Sequence, residues 1–183
     1  MTHTQFLQEL KRGDRLIAGR IDSRYVGPST NPLSGEMDYD PFFPAIGPAY
    51  TSAFLSYLHG ELKFGSDEEY QVSAFDIDWN WEHEQPGVAG WMSPVPNTVP
   101  DLALALTMNP GLHVLVQQGW YDLATPFLAM KMDLEHLDIT PEARKRIDVK
   151  YYDAGHMMYV HGPSMQKFRD DLVGFIRATD RVD

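Results

Sequence analysis

Hydrophobic positions follow different rhythms in the two halves of the chain. From Pro100 onward they are periodic. "PDLALALTMNPG" predicts a helix that opens at Pro100 and stops at the Asn109-Pro110-Gly111 turn. "LHVLVQQG" is a short, branched apolar run ending at Gly119, the signature of a buried parallel strand. "TPFLAMKMDLEHL" predicts a helix with Thr125 as N-cap, Pro126 at its first position, and Phe127, Met130, Leu134 and Leu137 on one face. "TPEARKR" repeats that start on a smaller scale, with its charges read as a solvated face, and "IDVKYYDAG" reads as a second strand. A last helix, "PSMQKFRDDLVGFIRA", is expected to bury Met165, Phe168, Leu172 and Phe175.

The first half is less regular. Residues 20 to 48 hold five prolines and three glycines, which predicts loop. Tyr50, Phe54, Leu58 and Leu62, spaced by four, predict one stripe of a helix. In "YQVSAFDIDWNW" the alternation of Phe75, Ile77, Trp79 and Trp81 predicts a strand, with the two tryptophans packed rather than offered to a sugar.

Composition narrows the function classes. A formal charge of −11 argues against a protein that tracks nucleic-acid phosphates. The chain has no cysteine, which excludes disulfides, thiolate nucleophiles and Cys-based zinc sites. His156 and His161, five apart, and His83 in "WEHE" lack the spacing that puts two imidazoles on one helical face, so no metal or other cofactor is expected. No run approaches the roughly 18 apolar residues of a membrane span. The opening "MTHTQFLQELKRGD" lacks the apolar core of a signal peptide.

The order strand, helix, strand, helix after Leu112 predicts an α/β fold in which two parallel strands end on one sheet edge, where ligands of open α/β sheets gather. Asp122 lies three residues past Gly119, and His156 follows Gly155. A carboxylate that accepts one ring N–H of a histidine fixes its tautomer and readies the other nitrogen as a base. By themselves the two residues could equally be a helix-start carboxylate and a packed strand-end histidine.

"GWYDLATPF" followed by "YYDAGHMMY" resembles the C-terminal end of the serine carboxypeptidases, peptidase family S10. "GRIDSRY", "YDPFFPAI" and "DWNW" resemble bacterial members, so that the likeness runs from about Phe6 to Ile176. The resemblance implies the C-terminal portion of an α/β-hydrolase fold, with parallel strands and helical crossovers over residues 101–183. Residues 1–100 would be lid, or insertion, and connecting region. It implies Asp122 and His156 as catalytic residues, Met157 and Tyr121 as substrate-binding residues, and an exported bacterial setting. Thr125 stands where disulfide-bearing members carry a cysteine, which leaves it as a helix cap. The family's Gly-Glu-Ser-Tyr-Gly nucleophile motif is absent: Ser93 is followed by Pro94, and "GPSMQ" at Gly162 to Gln166 falls after the histidine. The expected chain is therefore a C-terminal segment that acts on peptides only with an N-terminal half of the same hydrolase or a second subunit. An esterase or acyltransferase segment, or a non-catalytic module that oligomerises, fits the same residues.

Overall fold

The computed structural model describes residues 1–65, 70–73, 77–87, 90, 92–93 and 95–180. These form two compact units. One comprises Met1–Arg20 with Tyr25–Asn80, the other Ile21–Arg24 with Trp81–Asp183.

In the first unit, helix α1 (His3–Glu9) begins with a capping box: Thr2 Oγ1 accepts from Gln5 N at 3.2 Å, and Thr2 N donates to Gln5 Oε1 at 2.8 Å. Strands β1 (Leu16–Ala18) and β2 (Val26–Pro28) pair antiparallel, with Ile17 and Ala18 buried. Helix α2 (Phe42–Leu55) starts well before the expected stripe, inside the stretch read as loop, and runs into a π-helical turn at Ser56–Glu61. Its prolines are less disruptive than their number suggests. Asp40 Oδ1 accepts from Phe42 N at 2.9 Å, and Pro44 sits in the first turn, where an N–H would have no helical partner. Only Pro48 removes an interior bond. Phe42 is fully buried, edge-on to Tyr25 at 5.0 Å. Tyr50, Phe54 and Leu62 are exposed, contrary to the expected buried stripe.

No strand forms over residues 77–82, and Phe75 lies outside the described residues. Ile77, Trp79 and Trp81 are exposed, so the packed reading of the tryptophans does not hold. Alternation of apolar residues does not by itself dictate the extended pairing that defines a strand. The nearby pairing is shorter and later, β3 (His83–Glu84) with β4 (Met92–Ser93).

The second unit is a mixed α/β arrangement with a small parallel sheet. Helix α3 (Val99–Met108) carries Pro100 in its first turn and ends at Asn109. Strand β5 (Val114–Gly119) pairs in parallel with β6 (Ile147–Tyr152), with Val114 opposite Ile147 and Gly119 opposite Tyr152. Only Gln118 and Gly119 of β5 are fully buried; its apolar run is half-buried. Helix α4 (Phe127–Glu135) and the short α5 (Pro141–Arg144) link the two strands. Ala103, Leu106 and Leu137 form the core, with Leu112, Val114, Leu134 and Ile147 against them. Thr140 caps α5 by accepting from Ala143 N at 3.2 Å.

Two expectations fail here for electrostatic reasons. The charges of "EARKR" are not simply a solvated face. Arg144 donates to the Leu134 and Leu137 carbonyls at 2.6 and 2.8 Å. Arg146 donates to Leu106, Asn109 and Leu112 at 2.6, 2.7 and 2.9 Å. Both bond carbonyls at or just past the C-terminal ends of helices, where partial negative charge gathers. Helix α6 (Gly162–Thr179) turns Ser164, Phe168, Asp171 and Phe175 inward, while Met165 and Leu172 are exposed.

The rotation of α6 follows from Tyr152, which is 1% exposed. Its hydroxyl donates to Asp171 Oδ2 at 2.9 Å and accepts from Gln117 Nε2 at 2.8 Å, and its ring lies 5.9 Å from that of Phe168. Turning α6 to bury Met165 and Leu172 instead would leave a buried phenol without its acceptor. Burial, with the Asp171 carboxylate beside it, pushes the Tyr152 phenol up to about 12. The neutral phenol is favoured in the folded state. This stabilisation is complete below pH 10, the phenol's ordinary value, and is lost as pH rises to about 12. Chemical denaturation at stepped pH should therefore show stability falling by about 2–3 kcal/mol across that window, and Tyr152→Phe should flatten this part of the profile.

Candidate active site

The two strand ends do not part after the sheet. Trp120 N donates to Tyr152 O and Tyr121 N to Ala154 O, each at 3.0 Å, so the chain beyond β5 stays beside the chain beyond β6. This close course requires glycine. A β-carbon on Gly119 would lie 2.2 Å from Gly155 O and 2.3 Å from Ala154 O. A β-carbon on Gly155 would lie 2.4 Å from both Asp22 Cβ and Ile21 O. The glycines before Asp122 and His156 thus serve close backbone approach, not a left-handed conformation.

Asp122 is 3% exposed, and five donors converge on its carboxylate. Oδ1 accepts from the backbone N–H groups of Ala124 and Thr125 at 2.8 and 2.9 Å. Oδ2 accepts from Thr125 Oγ1 at 2.7 Å, Gln118 Nε2 at 3.4 Å and His156 Nδ1 at 2.9 Å. A carboxylate only accepts, so the proton of this imidazole sits on Nδ1, and Nε2 is the basic nitrogen of a ring about half exposed. Among the described residues no hydroxyl is bonded to Nε2.

The helix-cap expectation for Thr125 does not hold. Pro126 precedes α4 as its cap residue, with no side-chain cap bond, and the Thr125 hydroxyl serves Asp122 and lies 3.3 Å from His156 Nδ1. Met157 follows the histidine, half-buried, and leads into a short 3₁₀ turn at Met158–Val160. Tyr121 is 39% exposed, with the Arg24 guanidinium 5.2 Å from its ring centre. Ser164 is buried, and its Oγ lies 2.7 Å from His161 Nδ1. Among the described residues no three His, Cys, Asp or Glu gather as a metal site would require, and no helix is long and apolar enough to cross a membrane.

Three contributors escaped the sequence reading. Gln118 is a buried amide at the end of an apolar strand, donating also to Gly119 O and Thr125 O at 3.2 and 3.0 Å. Polar residues closing "LHVLVQQG" were the available signal: alternation sends Gln117 to the Tyr152 side of the sheet and Gln118 to the Asp122 side. The other two, Asp22 and Arg24, lie far upstream in "GRIDSRY", a stretch marked only by resemblance, with no role implied for these side chains.

Comparison with protein-family models, with curated proteins and with solved structures gives no match.

Proposed function

We propose that Asp122 and His156 are the orienting carboxylate and the general base of a serine-type α/β hydrolase, a carboxypeptidase whose nucleophile lies outside the residues of this chain. The observation that carries the reading is the 2.9 Å bond from His156 Nδ1 to a buried Asp122, formed just past the ends of two adjacent parallel strands. In this reading a serine hydroxyl gives its proton to Nε2 as it attacks the peptide carbonyl. The imidazolium, held by Asp122, then returns the proton to the leaving amine, and a water molecule repeats the cycle on the acyl-enzyme. Met157 and Tyr121 adjoin the base and the carboxylate and would face the substrate.

The test supplies an N-terminal α/β-hydrolase half bearing a Gly-Glu-Ser-Tyr-Gly motif and follows release of the C-terminal residue from N-blocked dipeptides. The expected activity is abolished by serine-directed phosphonofluoridates and falls by roughly 10⁴-fold or more in His156→Ala. Full activity in His156→Ala would end the reading. Cleavage of simple esters but not of peptides would move the protein to the esterases.

A further inference from the structure

We infer that Asp22 and Arg24 are positioning residues that hold His156 against Asp122, acting as a strap across both strand-end loops. The inference rests on His156 being the base. Residues Ile21–Arg24 sit within the second unit although the chain on either side belongs to the first. Every residue of this tetrapeptide is tied to one of the two loops. Ile21 O accepts from His156 N at 2.8 Å, and Ser23 N donates to Tyr121 O at 3.0 Å. Asp22 Oδ2 accepts from Gly155 N at 3.0 Å, and Arg24 Nη1 donates to Asp153 O at 2.6 Å. The backbone leading into the histidine, from Asp153 O to His156 N, is thus fixed from outside its own loop.

The strap holds itself rigid. Asp22 is 1% exposed and paired with Arg24 through two parallel bonds, Nε to Oδ1 at 2.9 Å and Nη2 to Oδ2 at 2.6 Å, with Arg24 N on Oδ1 at 3.1 Å. Both carboxylate oxygens therefore face donors on either side. An asparagine amide cannot satisfy this arrangement: whichever way it turns, its NH₂ meets N–H groups. A lysine at 24 keeps the charge but cannot supply the fork that reaches Asp22 and Asp153 together. Among the described residues the ring of His156 is hydrogen-bonded by Asp122 and Thr125 and not by the strap. The strap's effect on the base passes through the placement of the backbone at Gly155 and His156.

The full chain, labelled with ¹⁵N, tests this without any nucleophile or substrate. In the wild type, ring nitrogen shifts should show His156 protonated on Nδ1, with a downfield Nδ1–H signal that His156→Gln removes. In Asp22→Asn, and more mildly in Arg24→Lys, that signal should disappear through solvent exchange, and the ring should become a mixture of tautomers. Leu106→Ala, on the buried face of α3, serves as the control: it should lower the melting temperature while leaving the His156 signal intact. Wild-type tautomer and signal in both strap variants would overturn the positioning role and leave the Asp122–His156 pair standing. A wild type without the Nδ1-protonated ring would overturn the pair and the strap together.

Discussion

Gly119→Ala should cost about 3 kcal/mol of folding stability, near the upper end of what one added methyl does in a packed site. The usual escape is closed. The atoms that the new β-carbon would strike are two successive backbone carbonyl oxygens, at 2.2 and 2.3 Å, not the tip of a side chain able to swing away. Relief would require Ala154 and Gly155 to withdraw from β5. That movement breaks the Tyr121 N to Ala154 O bond and carries His156 away from Asp122. A urea midpoint measured beside that of Gly111→Ala, where a β-carbon meets nothing within 4 Å, checks it. Equal midpoints for the two variants would mean that the loops are not as close as described.

Asp122→Asn should leave the chain folded and nearly abolish activity in an assembled hydrolase. The asparagine oxygen can keep the two backbone donors of Ala124 and Thr125. Its NH₂ group then occupies the place of Oδ2, facing His156 Nδ1, Thr125 Oγ1 and Gln118 Nε2. A donor there makes Nδ1 the acceptor, so the ring proton moves to Nε2 and the base is lost. The expected fall in kcat is roughly 10⁴-fold, the size of effect that follows when a triad carboxylate is made an amide and the tautomer reverses. Stability should drop by only about 1–2 kcal/mol, because the cost is one repelled donor rather than an emptied site. Undiminished kcat would remove Asp122 from the mechanism.

The C-terminal elements were readable because each carries its own instructions. Pro100, the Asn109-Pro110-Gly111 turn and the Thr140-Pro141 start mark where helices begin and end, and a branched apolar run marks β5. Asp122 and His156 stood out because each is a reactive side chain placed after a glycine at a strand end. The hydrolase fold itself rests on resemblance. What stayed hidden depends on distant partners. Prolines concealed the start of α2, since Asp40 supplies the missing cap from outside the helix. The inward face of α6 is set by a phenol on β6, so hydrophobicity alone chose Met165 and Leu172 wrongly. Arg144 and Arg146 look like surface charge until the helix ends they serve are in place. Asp22 gives no local hint of burial: its partner amide at Gly155 is 133 positions away.

That separation has a kinetic corollary. The Asp122–His156 contact spans 34 positions, and one helical crossover can close it, whereas the tetrapeptide at 21–24 meets its loop only after far more chain has been gathered in. Contacts of long sequence separation form late and slowly. Refolding should therefore pass through a stage in which the parallel pair is already hydrogen-bonded while the imidazole still samples several orientations. The machinery would mature last, after most of the molecule has taken shape.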